Sequence, residues 1–554
     1  MTWPTIFDAK VDGYSAMDLP GQQIAAAHAN SPMAHLLNLD IDADPACQRL
    51  SGIMASMGPS TFDIGIMEKM MAVGMNLAYV NMSFGTREEN REIIKMLREA
   101  AKSFSITMGK TYPLAIAMRL SGRKMRTGRI IESLGDSVTL EEGYAVKLTT
   151  DETYHDRCSN STIYVDYMYL AEQLHTGDTI LLDNETIVLK VEMISATTLT
   201  CKIERGGILG SYKDVFVPNV VFAMQNLPEK DILDIEMALQ EQIDIIIPSN
   251  VTCAADITEL RTVLSDKGKR VAIMANIQTI QGCHNFEEIL KEADAILINR
   301  QELGSDITPK KLVRAQKKMI VQANKANIPI CISAHLLNSM IYNKVPLRAE
   351  VLDIANCILD GADFLLLGPE TAVGKFPVET ITYLSNACKE AETCVWSKRV
   401  FTDLIDMIPL PCDQQTCTAT AGVLAAQRCM AAAIVVITTT GNSAHIVAKF
   451  RPRCPIIAVT RYVQVARQMH MWRGIIPIIY EDDPDITWMR DVEKRANCGV
   501  RWAIEKGFAR DDDPIVIISG WKNGSGTTNT MRGAKEQTSH LTGCKRAEGS
   551  SGGE

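Results

Sequence analysis

The chain has 554 residues, of which 46% are hydrophobic and 22% are charged, proportions typical of a globular protein with several domains. Lysine and arginine number 57 against 66 acidic residues, a net charge of -9, which argues against nucleic acid or a membrane surface as its partner. The 15 cysteines include no C-x-x-C pair, and Cys412 and Cys417 are the closest in sequence. We therefore expect reduced thiols that pack as small hydrophobes.

The N-terminal region, residues 1–40, shows no sustained periodicity and is predicted to be a loosely held arm, apart from a short helical turn around residues 33–37. It carries acidic residues and lacks the apolar segment of a secretion signal. The longest apolar run, residues 429–437, is about half the length that a transmembrane helix needs. These features predict a soluble, cytoplasmic protein.

From Ser51 onward, short apolar strands alternate with amphipathic helices. The predicted strands are residues 52–57, 76–80, 114–118, 243–247, 271–275, 295–298, 330–333 and 364–367. Eight strands separated by helices are typical of a closed parallel barrel. We assign residues 41–118 and 225–390 to its two parts.

The barrel pattern is interrupted at residues 119–224, where hydrophobic and polar residues alternate as in TILLDNETIVLKVEMI. This predicts an inserted β domain after the third strand, at the face where barrel enzymes carry their active sites, and we interpret it as a lid. Residues 391–532 are predicted to form a C-terminal α/β domain, with a first helix over residues 387–404. Residues 533–554 are polar and rich in glycine and serine, which predicts a disordered tail.

The predicted fold class is α/β: a (β/α)8 TIM barrel with an inserted β-barrel lid domain and a C-terminal α/β domain. The fifth strand reads VAIMANIQTIQG, and its end places Asn276 and Gln278 where a barrel enzyme would carry catalytic groups. Neither amide can act as an acid or hold a divalent cation tightly.

Several longer segments, in one order, resemble the pyruvate kinase family: GMNLAYVNMSFGT, SGRKMRTG, GGILGSYKDVFVPN, LRAEVLDIANCILDGADFLLLGPETAVGKFP and SAHIVAKFRPRCPIIAVTR. The resemblance covers about residues 34–532. It implies phosphoryl transfer from phosphoenolpyruvate to ADP, giving pyruvate and ATP in the last step of glycolysis, with Mg²⁺ and K⁺ as cofactors. It also implies an allosteric, cytoplasmic tetramer, formed by this chain alone or with related subunits.

The resemblance further implies that four positions of the phosphoryl-transfer site are substituted. The family has a lysine at Asn276, a metal-binding glutamate at Gln278, a threonine at Ala334 and a phosphate-contacting arginine at Tyr79. The second metal position, an aspartate in the family, is Glu302 here. A dication held by one carboxylate is weakly held.

The implied potassium site is half retained. Asn81 and Ser83 match the family, whereas Arg119 and Leu120 replace an aspartate and a threonine. Arg119 would repel potassium, or alternatively substitute for its charge.

Two basic residues with which the family contacts nucleotide, Arg126 and Lys213, are retained. The resemblance therefore implies that the chain binds ADP and ATP.

The C-terminal domain resembles the family's binding site for the activator fructose 1,6-bisphosphate. One loop, after a strand and before a helix, offers hydroxyl and backbone N–H groups to an anion, and a glycine-rich loop follows a later strand. The implied effector residues are Thr438, Thr439, Thr440, Gly441, Asn442, Ser443, Trp488, Arg495, Lys522, Gly524, Ser525, Gly526 and Thr527. Asn442 replaces a family arginine.

Three hypotheses follow for the function. The first is a pyruvate-kinase-like protein that is catalytically impaired or inactive and acts as a binding or regulatory subunit. The second is an active pyruvate kinase with an altered pocket, in which Arg119 and Glu302 compensate. The third is a decaying copy with no selected function, which changes such as Gly-Pro in LLLGPET favour.

Overall fold

A computed structural model describes residues 23–46, 48–122, 125–131, 133, 135–183, 186–218, 220, 227–510, 513–522, 524, 526 and 528–534. Most of the predicted arm and tail, and the effector residues Ser525 and Thr527, lie outside these ranges. No helix within the described ranges is long and apolar enough to cross a bilayer.

Eight parallel strands close into a barrel, so the prediction of a (β/α)8 fold is confirmed. Each strand pairs with its neighbour in sequence, and the eighth pairs with the first. In chain order the barrel strands are Gly52–Ser56, Leu77–Asn81, Ala115–Arg119, Ile245–Ile247, Ala272–Ile277, Ala295–Asn299, Ile330–Ser333 and Phe364–Leu367. These bounds differ from the predicted ones by at most two residues.

The barrel strands are apolar on both faces, as expected for strands buried between a filled interior and a layer of helices. Alternate side chains such as Met54, Met274 and Leu366 fill the interior. Their neighbours pack against the surrounding helices. The helices around the barrel are Ile64–Ala72, Arg87–Met108, Glu229–Gln240, Ala254–Leu264, Ile280–His284, Phe286–Glu292, Arg300–Asp306, Pro309–Ala326, Arg348–Asp360, Pro369–Ala372 and Pro377–Thr393.

The inserted domain follows the third barrel strand and has its own apolar core. Its described strands form a seven-stranded sheet and a separate two-stranded ribbon. In chain order these strands are Met125–Arg126, Ser137–Leu140, Ala145–Thr149, Thr162–Tyr164, Thr179–Leu182, Ile187–Ile194, Thr198–Arg205, Gly207–Gly210 and Asp214–Phe216, with one short helix at Leu170–Gln173. The ribbon pairs the second of these strands with the eighth.

The C-terminal domain is a five-stranded sheet covered by helices. Its strands are Ala433–Ile437, Ile456–Thr460, Ile475–Ile479, Ile515–Gly520 and Thr528–Ala534, and its helices are Ser397–Asp406, Gln414–Cys429, Asn442–Lys449, Val463–Met469 and Trp488–Glu505. The last strand, which pairs antiparallel with its neighbour, was not predicted, and it runs two residues beyond the predicted start of the tail.

The prediction of one helix over residues 387–404 was wrong. The chain forms two helices, Pro377–Thr393 and Ser397–Asp406. The break is stabilised from the N-terminal region, because His35 Nε2 lies 3.0 Å from the carbonyl oxygen of Cys394 and the His35 ring stacks on Trp396. The short helix Pro32–Leu37, which carries His35, agrees with the predicted turn.

A buried ion pair joins the barrel to the C-terminal domain. Arg451 Nη2 donates to Asp363 Oδ1 at 2.8 Å, to Asn324 Oδ1 at 2.6 Å and to the carbonyl of Gly361 at 2.8 Å. Burial raises the pKa of Asp363, and the positive charge of Arg451 opposes that shift. The charge of Arg451 therefore favours the ionised form of Asp363 in the core between the two domains.

We expect Arg451→Met to lower the free energy of unfolding by about 3–5 kcal/mol, because the buried Asp363 carboxylate loses its hydrogen-bonded cation and keeps only the electrostatic attraction of Arg473. The double change Arg451→Met/Asp363→Asn should recover part of this loss, since the buried carboxylate is removed together with its partner. Urea denaturation followed by circular dichroism measures both. A double variant no more stable than the single one would assign the cost to lost packing instead.

Candidate active site

The fifth barrel strand ends in a buried amide. Asn276 continues the inward row of Ala272 and Met274, and its side chain is fully buried. Neither its Oδ1 nor its Nδ2 has a hydrogen-bond partner. A buried polar group without a partner costs about 1–3 kcal/mol, so two such atoms on one side chain are unusual in a packed core.

Two further polar atoms near strand ends share this property. Gln278 is 4% exposed, and its Nε2 has no partner. The hydroxyl of Ser83, just beyond the second strand, is also buried without a partner. Unsatisfied polar atoms of this kind are typical of a site completed by a ligand or ordered water.

A buried guanidinium lies at the end of the third strand. Arg119 is 8% exposed, its Nε donates to Ser249 Oγ at 3.2 Å, and its Nη2 lies 3.4 Å from Glu302 Oε1. Burial favours a lower pKa for Arg119, but the Tyr79 hydroxyl and the Glu302 carboxylate outweigh it and raise the pKa above its usual value. Arg119 is therefore a permanent cation at the barrel mouth.

The structure thus brings together four of the predicted positions, Tyr79, Asn81, Arg119 and Glu302. Tyr79 is 5% exposed inside the barrel and hydrogen-bonds to Arg119, and Glu302 pairs with the same guanidinium. Asn81 lies beside Arg119 on the neighbouring strand, and its Oδ1 accepts from the backbone N–H of Ser83 at 3.1 Å. The Oδ1 of Asn81 is therefore engaged in its own turn.

Leu120 does not belong to this group. It is fully buried in the apolar layer between the strands and the helices, and its N–H donates to the carbonyl of Ile247. Because successive side chains of a strand point to opposite faces, Leu120 packs outward where Arg119 packs inward.

The turn after the seventh strand is held by an arginine that the sequence analysis did not single out. Arg300 donates through Nε and Nη2 to the carbonyl of Ala334, at 3.1 and 2.6 Å, and its Nη2 lies 2.7 Å from Asp353. Ala334 and His335 have φ values of 70° and 55°, a left-handed conformation that costs energy outside glycine. Arg300 could have been identified from the sequence as a charged residue directly after a barrel strand.

The two retained basic residues lie on the inserted domain, paired with carboxylates. Arg126 Nε is 3.3 Å from Asp214 Oδ1, and Lys213 Nζ is 3.1 Å from Asp183. Arg126 is opposite Asp214 on paired strands, and the backbone of Lys213 pairs with that of Thr127, so the two basic residues lie at adjacent positions of the strand pairing.

The residues at the barrel mouth do not fit a divalent metal. In the described ranges no three His, Cys, Asp or Glu residues are grouped as metal ligands. The expected ligand positions supply the amide of Gln278 and the carboxylate of Glu302, and that carboxylate is paired with Arg119. At the expected potassium position Asn81 and Ser83 offer oxygen atoms, whereas Arg119 and Leu120 offer a cation and an apolar side chain. Hard cations need several oxygen ligands, which these residues do not provide.

The first predicted effector loop forms a tight turn before a helix. Thr438 Oγ1 accepts from the N–H of Gly441 at 3.0 Å, while Thr439 is half-buried and Thr440 exposed. Gly441 has a φ of 87°, and a Cβ there would lie 2.9 Å from the ring of His445, so glycine is required. The helix Asn442–Lys449 begins directly after it.

The structure connects the described effector residues. Ser443 Oγ and Thr528 Oγ1 are 2.6 Å apart, which joins the first loop to the strand after the second loop. Trp488 Nε1 donates to the carbonyl of Gly520 at 3.4 Å, and the guanidinium of Arg495 lies 5.1 Å from the centre of the Trp488 ring. In the second loop, Lys522 lies over Trp521, and Gly524 and Gly526 have φ values of 121° and 81°.

Comparisons with known proteins agree on one family. Residues 48–381 match the model of the pyruvate kinase barrel domain, and residues 416–532 match that of the pyruvate kinase alpha/beta domain. The chain is 38% identical to pyruvate kinase PKLR of Rattus norvegicus over 92% of its own length and 89% of the relative's. It is 35% identical to a pyruvate kinase of Candida albicans over 91% and 99% of the two lengths. The chain belongs to the pyruvate kinase family.

Proposed function

We propose that this member of the pyruvate kinase family is catalytically impaired or inactive in phosphoryl transfer from phosphoenolpyruvate to ADP, and acts as a binding or regulatory subunit. The observation that supports the proposal best is the ion pair of Arg119 and Glu302 at the barrel mouth. Glu302 is the only carboxylate at the two expected metal positions, and this ion pair joins it to the buried cation of Arg119.

The electrostatics of the pair oppose metal binding. At an effective dielectric constant of about 20, two unit charges about 4 Å apart interact by about 4 kcal/mol. A dication next to Glu302 would meet the guanidinium at a comparable distance, and it would have to compete for the same carboxylate. Phosphoryl transfer depends on neutralising developing charge with cations and metal ions. A weakly held metal ion would therefore stabilise the transition state much less.

The remaining substitutions act in the same direction. Asn276 supplies no positive charge, Tyr79 replaces another cation, and Ala334 has no hydroxyl. Loss of one preorganised electrostatic donor typically costs about 10²–10³ in rate. These losses would not multiply in full, because groups that act together are not additive. The largest single loss is already enough to impair turnover strongly.

The barrel mouth nevertheless supports ligand binding. Four buried polar atoms, on Asn276, Gln278 and Ser83, lack partners, and Arg119 supplies a permanent cation. We propose that these groups bind a small anion such as phosphoenolpyruvate without Mg²⁺ or K⁺. Arg126 and Lys213 are proposed to contact ADP or ATP from the inserted domain, once released from their carboxylate partners.

The Gly-Pro pair in LLLGPET, on which the hypothesis of a decaying copy rests, is Gly368 and Pro369, and it is compatible with the local structure. Pro369 occupies the first position of the helix Pro369–Ala372, where a missing N–H costs nothing. The N–H of Gly368 donates to Glu370 Oε2 at 2.7 Å. This turn therefore gives no reason to prefer a chain without function over a folded, altered family member.

The metal proposal is tested by titrating the protein with Mn²⁺ and measuring free Mn²⁺ by electron paramagnetic resonance. We expect weak binding to the unmodified chain and a dissociation constant at least about tenfold lower for Arg119→Asp/Gln278→Glu, which frees Glu302 and adds carboxylates. Gln414→Glu/Arg501→Asp, on exposed side chains of the C-terminal domain, is the matched control. Tight binding by the unmodified chain would contradict the proposal.

The catalytic proposal is tested by a coupled assay for pyruvate formation. We expect turnover far below the range of about 1–100 s⁻¹ that is ordinary for kinases. Adding Asn276→Lys to the Arg119→Asp/Gln278→Glu variant should raise turnover, whereas Asn497→Lys/Gln414→Glu, at exposed positions, should not. Turnover of the unmodified chain within about tenfold of that range would instead favour the active enzyme with an altered pocket.

A second proposal is that the C-terminal loops bind a sugar bisphosphate such as fructose 1,6-bisphosphate. It is supported by the contact between Ser443 and Thr528, by the contact between Trp488 and Arg495, and by the buried Nε of Arg495, which has no hydrogen-bond partner. The replacement of an arginine by Asn442 should weaken this site.

Isothermal titration calorimetry with fructose 1,6-bisphosphate tests this site. Arg495→Gln should weaken binding at least about tenfold, because a charge-assisted hydrogen bond contributes about 1.5–3 kcal/mol. The exposed Arg501 on the same helix offers the control Arg501→Gln, which should bind like the unmodified chain. Folded protein that gives no binding heat would reject the proposal.

A further inference from the structure

Two cysteine sulfurs are in contact at the start of the C-terminal domain. The Sγ atoms of Cys412 and Cys417 lie 3.2 Å apart, and both residues are free cysteines. Cys412 is half-buried and Cys417 is exposed. The pair is therefore within reach of a small oxidant in solution.

The backbone holds the two sulfurs together. Asp413 lies between them in the chain and caps the helix Gln414–Cys429, since its Oδ2 accepts from the N–H groups of Gln415 and Thr416, each at 3.1 Å. The hydroxyl of Thr416 also donates to Asp413 Oδ1. These hydrogen bonds hold the turn between the two cysteines, so the backbone keeps the two thiols close together.

Other cysteines of the chain differ in accessibility. Cys201 and Cys357 are buried, and burial raises the pKa of each thiol to about 12, whereas Cys417 is exposed and its pKa is raised chiefly by its hydrogen bond with Cys412. A disulfide bond has an S–S length of about 2.05 Å, so the contact between Cys412 and Cys417 must shorten by about 1 Å. Small rotations about the side-chain bonds of two accessible residues are enough for a change of this size.

We propose that Cys412 and Cys417 form a redox site that closes to an intramolecular disulfide on reaction with a low-molecular-weight disulfide such as oxidised glutathione. The Cys417 thiolate attacks one sulfur of the small disulfide, whose S–S bond breaks and releases one thiol. The Cys412 thiolate then attacks Cys417 Sγ in the mixed disulfide and releases the second thiol. Two protein thiols are oxidised, one small disulfide is reduced, and the two thiol protons pass to the released thiols.

The site lies next to the loops of the C-terminal domain. Gln415, between the two cysteines in sequence, accepts from Asn442 Nδ2 at 2.9 Å through its Oε1. Its Nε2 would lie 3.5 Å from a Cβ placed on Gly526. Closure of the disulfide therefore changes a turn that contacts both loops. The redox site itself does not depend on the loss of phosphoryl transfer or on effector binding.

The test incubates the full chain with oxidised glutathione, blocks remaining thiols with iodoacetamide, and analyses the peptide containing residues 412–417 by mass spectrometry. We expect the unmodified peptide to lose two hydrogen atoms and to retain no glutathione, with the internal disulfide exceeding any adduct at least about tenfold. Dithiothreitol should restore both thiols. In Cys412→Ser, which lacks the resolving thiol, a stable glutathione adduct should accumulate on Cys417.

The half-buried Cys429, further along the same helix, provides the control Cys429→Ser, which should form the internal disulfide like the unmodified chain. Circular dichroism of each variant establishes that it is folded. The proposal is overturned if the unmodified peptide carries two alkylated thiols or stable glutathione adducts after oxidation. It is also overturned if folded Cys412→Ser forms no adduct, since Cys417 would then be unreactive.

Discussion

The guanidinium of Arg119 determines what the barrel mouth can bind. It is buried, permanently charged, and in contact with groups from three other barrel elements through Tyr79, Ser249 and Glu302. A charge in that position cannot be screened by solvent or removed by a change of pH in the ordinary range. An anion at the barrel mouth is attracted by this cation, and a metal ion there is repelled by it.

The barrel itself does not depend on the polar residues at its mouth. The strand interiors are filled by apolar residues such as Met274 and Leu297, and the ends of the strands carry the residues of the candidate site. In a (β/α)8 barrel the framework and the chemistry are separate, because the side chains at the strand ends contribute little to closing the barrel. The fold is therefore compatible with the buried amides of Asn276 and Gln278 at the end of the fifth strand.

Much of the framework could be predicted from the sequence, since short apolar strands alternating with amphipathic helices have a strong periodic signal. The site was harder to predict. The outward position of Leu120 follows from strand alternation with Arg119, but the pairing of Arg119 with Glu302 joins residues 183 positions apart. The helix break at Cys394 depends on His35, and no local pattern encodes a contact across 359 positions. Long-range polar contacts decide such details, and one sequence does not display them.

The side-chain amide of Asn276, whose two polar atoms have no hydrogen-bond partner, indicates whether the barrel mouth binds a ligand. Burying two polar atoms without partners lowers stability, and an apolar side chain of similar size at this position would remove that cost. The cost disappears equally when a bound molecule supplies a donor and an acceptor. The unpartnered polar atoms of Asn276, Gln278 and Ser83, in a barrel that also holds the cation of Arg119, are therefore better matched to a bound polar ligand than to an empty site.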